Sequence, residues 1–144
     1  MLSIRIITVG TIKESFYRDA IAEYQKRLTR YCKLEVIEIR EGTHKQETDA
    51  IRAKIKGTVL LCDINGKPIT SEDLAAKIST LSQTTSTISI IIGGSHGVGN
   101  ALDDVVHEKL SFGKITLPHQ LFRVILHEQV YRAFTIIKGE SYHK

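Results

Sequence analysis

An α/β fold with a parallel sheet is what these 144 residues predict, on three observations. Strand-like apolar runs alternate with segments of helical periodicity along the chain. Two of those runs, Thr58 to Asp63 and Ile88 to Ile92, are almost unbroken in apolar residues, the pattern of strands covered on both faces. The second run empties into a glycine loop, Gly93-Gly94-Ser95-His96-Gly97-Val98-Gly99, and open α/β sheets bind ligands at the edge where their strands end.

The elements follow in order. Ser3 to Val9 is β-branched and stops at Gly10, which predicts the first strand. The opening MLSIRIITVG is too short to span a bilayer and has neither a basic lead nor a small-residue cleavage site. Glu14 to Tyr31 reads as a helix with Phe16, Ala20, Ile21, Tyr24, Leu28 and Tyr31 on one face. Its other face carries Arg18, Lys26, Arg27 and Arg30, with Lys33 just beyond: a solvated surface first, a phosphate-contacting stripe second. Leu34 to Ile39 is the second strand. Arg40 to Gly57 is polar, with a short helical centre around Ile51 and Ile55.

Thr58 to Asp63 is closed by a turn at Asn65-Gly66 and Pro68. Thr70 and Asp73 stand at capping-box spacing before a helix that buries Leu74, Ala75, Ile78 and Leu81. After the glycine loop, Asn100 can cap a short helix bearing Asp103 and Asp104 in its first turn. Lys114 to Leu117 reads as a short strand, followed by a break at Pro118-His119-Gln120 and a long helix to Ile137. In that helix Leu121, Val124, Ile125, Ala133, Phe134 and Ile137 form one face, and Phe122, Leu126 and Val130 fill much of a second. So apolar a helix needs cover on two sides, its own sheet on one and a second subunit on the other.

Length limits the chain to one domain. A net charge of +4 and a pI near 9.1 tilt it only slightly toward an anionic partner such as RNA. Cys32 and Cys62 offer neither metal spacing nor a disulfide framework, which fits a reducing cytosol. The glycine loop lacks the Gly-Lys-Ser/Thr of a P-loop and the spacing of a dinucleotide fingerprint. His127-Glu128 starts an H-E-x-x-H pattern, but Tyr131 occupies the second histidine's place, and Glu128 with Arg132 makes an ordinary i, i+4 pair. Gly93-Gly94-Ser95-His96-Gly97 satisfies G-x-S-x-G, so a serine hydrolase stays open, with Asp103 or Asp104 and His119 or His127 completing its triad.

The segments IIGGSHG and ITLPHQLFRVILHEQVYRAF and the ending GESYHK together resemble the RlmH family of SPOUT methyltransferases, ribosomal large-subunit RNA pseudouridine N3 methyltransferases. The likeness runs from the ITVGTIKE opening to the terminal lysine, with a shorter stretch between Ile39 and Thr58 than that family has. It implies one SPOUT-type domain over residues 1–144, a parallel-sheet sandwich with a C-terminal trefoil knot, acting as a cytoplasmic homodimer without metal or membrane. It implies S-adenosyl-L-methionine as cofactor, held by Cys62, Gly93, Phe112, Gly113, Lys114, Ile115, Thr116 and Leu117, although Phe112, Ile115 and Leu117 serve equally as core residues. His119, Tyr142 and His143 become catalytic candidates, and Arg123, Arg132 and Lys144 substrate contacts. The tail Ser141 to Lys144 is expected at the partner subunit's pocket. The implied substrate is pseudouridine 1915 of 23S rRNA in the assembled ribosome. A knotted ribosome- or RNA-binding protein without catalysis is the alternative from another class.

Overall fold

In the computed structural model, which describes residues 1–144, the chain forms β1 (Ser3–Val9), α1 (Ser15–Leu28), β2 (Lys33–Ile39), α2 (His44–Lys54) and β3 (Thr58–Pro68). It continues through α3 (Ser71–Ser82), β4 (Thr87–Ile92), β5 (Glu108–Ser111) and α4 (His119–Ile137). The sheet order is β2-β1-β4-β3-β5 and every pairing is parallel, so all five strands end at one edge.

Strand alternation sorts the core into two layers. Ile4 and Ile6 of β1 with Ile88, Ile90 and Ile92 of β4 face α1, α3 and α4, where Leu28, Leu74, Ile78, Leu126 and Val130 meet them. Ile7, Val9 and Ile91 point the other way, onto Ile51 of α2 and onto Val98 and Leu102. Each such fully buried aliphatic side chain contributes about 1.5–3 kcal/mol. The first layer is the larger, and it is the one that seats α4.

Helix starts follow local chemistry. Thr70 Oγ1 accepts from Asp73 N at 3.0 Å while Asp73 Oδ2 accepts from Thr70 N at 2.9 Å, so the aspartate closes the box as a glutamate would. The Thr70 N–H also holds the Asp73 carboxyl below the usual range. A second box starts α2: Thr43 Oγ1 accepts from Gln46 N at 3.1 Å, and Gln46 Oε1 accepts from Thr43 N at 2.9 Å. The polar stretch with its expected short helical centre around Ile51 and Ile55 holds an eleven-residue helix that includes Ile51 and has Ile55 at its C-cap.

Four expectations change. Lys114 to Leu117 is not a strand; Glu108–Ser111 is, because that is the stretch in register with β3, and the chain has left the sheet by Gly113 at φ +126°. No helix follows Asn100, where residues 98–106 make successive short turns such as Asp103 N to Asn100 O at 3.2 Å and Val105 N to Leu102 O at 2.9 Å. Phe16, expected in the core, is 61% exposed. Asn65-Gly66 does not end the strand: Leu110 is in register with both Cys62 and Lys67, so Asp63 to Gly66 loops outward and β3 resumes.

The covered stripe of α4 is Arg123, Leu126, His127, Val130, Ala133 and Phe134, while Leu121, Val124 and Ile125 stay half-buried. Arg123, expected to contact substrate, is 2% exposed and committed inside the protomer. Its Nη1 donates to Glu38 Oε2 at 2.5 Å and its Nη2 to the Gly10 carbonyl at 3.0 Å, tying α4 to β1 and β2. One turn on, His127 Nδ1 donates to the Arg123 carbonyl at 2.7 Å, and burial depresses the imidazole's pKa from 6.5.

Replacing Arg123 with Met should destabilise the fold by roughly 3 kcal/mol in urea unfolding, because it strips the Glu38 carboxylate and the Gly10 carbonyl of their donor. Protonation adds a pH dependence. An unfolded chain takes up protons at histidine below pH 6.5 while folded His127 resists, so stability is present above that pH and lost on acidification. Thermal midpoints should fall as pH drops below 6.5, and His127→Phe should flatten that fall.

Candidate functional site

Three backbone departures from the sheet edge meet around one cavity of about 650 Å³, inside the roughly 300–1,000 Å³ range of small-molecule sites. Leu61 to Asn65 of β3 and its excursion form one wall, the glycine loop after Ile92 a second, and Leu110 to Leu117 a third, with His119 and Phe122 of α4 behind. Of the residues expected to hold a cofactor, Cys62, Gly93, Phe112, Gly113, Ile115, Thr116 and Leu117 all line it. Lys114 does not; it is exposed on the same loop.

The lining is mostly apolar side chain and bare main chain. Burial pushes the Cys62 thiol up to about 12, so it stays protonated and acts as wall rather than nucleophile. Gly94 is required by close approach: a Cβ there would stand 2.9 Å from Val9 Cγ1 and 3.0 Å from Glu47 Oε1. Phe112 meets Phe122 edge-on, ring centroids 5.2 Å apart, which ties the third wall to α4. Asp63 is the one carboxylate in the lining.

His119 opens α4 at the back of this cavity, just after Pro118 at the N-cap. Burial first, and then the Arg123 charge, lower its pKa from 6.5, against a smaller opposing contribution from the Gly93 main chain. The imidazole is neutral at pH 7, and its buried Nε2 has no protein partner. A neutral ring nitrogen kept free at a cavity can exchange one hydrogen bond with a ligand.

The remaining candidates gather elsewhere. Arg132 donates Nε to Glu128 Oε1 at 2.8 Å and Nη1 to His143 Nδ1 at 3.0 Å, and its guanidinium lies 4.8 Å from the Tyr142 ring centroid. His143 therefore accepts at Nδ1 and donates from Nε2 to Glu72 of α3. Tyr142 packs edge-on against Tyr131 at 4.8 Å, and burial, then the Glu128 charge, raise its pKa. Lys144 ends the chain exposed. None of these four lines the cavity. Along α4, the thirteen residues from His119 to Arg132 correspond to about 20 Å.

A nucleophile elbow is not present at Ser95. The elbow needs a strained residue between strand and helix, whereas no non-glycine residue has positive φ, no helix follows, and Ser95 is exposed. Its expected partners are engaged elsewhere: Asp103 pairs with Lys109 at 2.8 Å, Asp104 with Arg52 at 2.8 Å, and His127 lies inside α4's packing. No three His, Cys, Asp or Glu side chains are grouped to hold a metal, and no helix is long and apolar enough to cross a membrane.

Sequence reasoning missed three contributors. Ile64 and Asn65 join the lining through the β3 excursion, signalled only by Asp63, whose Oδ1 caps Asn65 N at 2.9 Å. Glu47, 3% exposed behind Gly94, gave no signal, since a carboxylate on a polar helix reads as solvent-facing.

Comparison with known proteins agrees with this architecture. Residues 2–143 match the family model described as "Predicted SPOUT methyltransferase". Curated relatives include proteins named "Ribosomal RNA large subunit methyltransferase H" from Clostridium beijerinckii, 46% identical over 159 aligned positions, and from Bifidobacterium adolescentis, 47% identical over 159. Another of that name, from Latilactobacillus sakei, is 43% identical over 159 positions; each alignment covers 99% of this chain and 100% of the relative. A match through nearly every residue, to a family model and to full-length relatives alike, means that the chain belongs to the SPOUT methyltransferase family, in the RlmH group.

Proposed function

We propose that this protein is an S-adenosyl-L-methionine-dependent methyltransferase that acts on N3 of pseudouridine 1915 in 23S rRNA of the assembled ribosome, as a cytoplasmic homodimer of knotted protomers. The observation that carries the reading is the cavity built from three backbone returns at one sheet edge. Its fit to the cofactor rests on size, on an apolar slot for a flat base between Leu61, Ile92, Leu110 and Phe112, and on exposed glycine main chain. The unpartnered His119 Nε2 adds one polar contact. Cys62, Gly93, Phe112, Gly113, Ile115, Thr116 and Leu117 would hold it, with Lys114 contributing through its backbone neighbours. Two consecutive connections, β4 to β5 and β5 to α4, wrap the same cavity, which supports a knotted crossing.

Bound cofactor supplies an electrophilic methyl carbon. Methylation of an imide nitrogen would exchange the donor's S–CH₃ bond for an N–CH₃ bond after the imide proton has passed to solvent water, so the protein must favour the anion that spreads onto the flanking carbonyl oxygens. Tyr142, kept protonated, offers an O–H donor, Arg132 a permanent charge, and Lys144 an exposed ammonium. His143, fixed between Arg132 and Glu72, orients that group. Arg132 sits ten residues along α4 from Phe122, the last helix residue in the cavity lining, or about 15 Å, with Tyr142 and His143 packed beside it, which supports completion of each site by a partner's tail. The half-buried Leu121, Val124 and Ile125 of α4, with exposed Phe16, supply the apolar surface for that pairing.

Net charge is modest at +4, so selection rests on the shape of a large folded target rather than on phosphate contacts alone. The target base must also leave its stack, at a cost of roughly a few kcal/mol.

Calorimetric titration of S-adenosyl-L-methionine should show one site per protomer. Deleting Ser141 to Lys144 should abolish methyl transfer to ribosomes while leaving that titration nearly unchanged; full turnover by the truncated chain would remove the tail from the mechanism. With radiolabelled methyl donor, intact ribosomes should be labelled at least a hundredfold faster than an isolated RNA hairpin carrying the same nucleotide, a gap equivalent to about 2.7 kcal/mol or more. Equal rates on the hairpin would contradict selection by the assembled particle.

A further inference from the structure

The glycine loop is the cavity wall least able to hold its own shape. Four of its seven residues from Gly93 to Gly99 are glycines, which lose the most backbone freedom on ordering. Between the end of β4 and the start of β5 only short turns bond within the segment, such as Gly97 N to Gly94 O at 2.9 Å.

What grips it comes from α2. Arg52 donates Nη1 to Asp104 Oδ2 at 2.8 Å and Nη2 to Asp104 Oδ1 at 2.9 Å, and Nη2 also reaches the Ala101 carbonyl at 2.8 Å. At the other end of the helix, His44 donates Nε2–H to the Val98 carbonyl at 3.2 Å. Between them Ile51, fully buried, shares an apolar cluster with Val98 and Leu102. The end of the loop at Val98 and the turns that continue it to Asp104 are held from one side at three points: the Val98 carbonyl by His44, the Ala101 carbonyl and Asp104 carboxylate by Arg52, and the Val98 and Leu102 side chains by Ile51.

We infer that Arg52 and His44 are positioning residues for methyl transfer, acting through the glycine loop: they fix the second cavity wall before any ligand arrives. Neither side chain lines the cavity. Their effect is on affinity, because a wall already ordered in the free protein adds no ordering cost to binding. The inference rests on the cavity being the cofactor site.

Arg52→Met, His44→Ala and Arg52→Lys test it, since Arg52 is exposed enough for replacement to spare the core. In ligand-free protein, amide hydrogen exchange across Val98 to Asp104 should speed up about tenfold in Arg52→Met, with β1 and β4 amides unchanged. The dissociation constant for S-adenosyl-L-methionine should weaken about tenfold, while kcat at saturating cofactor and KM for ribosomes hold. Arg52→Lys, which keeps the charge but not the fork, should fall between. Unchanged cofactor affinity in both Arg52→Met and His44→Ala would overturn the inference, as would exchange that accelerates equally throughout the sheet. Should the unaltered protein bind no cofactor while the loop still loosens in Arg52→Met, the clamp stands and the cofactor reading falls.

Discussion

Parallel pairing of β3 with both β4 and β5 is the constraint on which this molecule depends. Parallel neighbours end at the same edge, so the chain leaves that edge after Cys62, after Ile92 and after Ser111, with the β3 exit flanked by the other two. Three lengths of irregular main chain are thereby stacked at the mouth of the sheet before any side chain is chosen. The isoleucine rows of β1 and β4 keep those exits in register, and side chains such as Phe112 and Cys62 only trim the space between them.

Helix α4 crosses from chemistry into packing along its length. His119, half-buried, stands one turn before the covered stripe, which runs from Arg123 through Leu126, His127, Val130 and Ala133 to Phe134. The polar half lies over the ends of β1 and β2, where the Gly10 carbonyl and Glu38 need donors; the apolar half lies over the core. Arg123 consequently serves the cavity at second hand: its charge helps keep His119 neutral while its two bonds hold the helix at the angle that puts His119 there.

Much of this was legible in the sequence, and the rest fails for identifiable reasons. β1 and α3 fall where alternation and the Thr70–Asp73 box put them, because local chemistry decides both. β5 is legible only through its partner: Glu-Lys-Leu-Ser has no strand pattern of its own and is a strand because β3 is next to it. The apolar stretch Ile115-Thr116-Leu117 looked more like a strand, yet Ile115 is 79% exposed at the cavity rim. Helix α2 buries only Ile51 among its large apolar residues, so the sequence marked a short helical centre there but not the helix's extent from His44 to Lys54. Arg123 and Glu47 were misjudged or unseen because charge predicts exposure: Arg123 is buried against Glu38, distant in sequence, while Glu47 takes its hydrogen bond from nearby Gly42 N and is covered by the glycine loop at Gly94.

Leu110 finds a register partner on each side of the excursion from Asp63 to Gly66, at Cys62 and again at Lys67. The ladder thus closes over those four residues, which stay tied to β5 at two points: Ser111 Oγ donates to the Ile64 carbonyl at 3.0 Å, and a Cβ at Gly66 would stand 2.7 Å from the Lys109 carbonyl. Variation at this rim is therefore confined to the side chains of Asp63, Ile64 and Asn65, which can reshape the cavity mouth while the Ile64 carbonyl and Gly66 keep the excursion seated on β5.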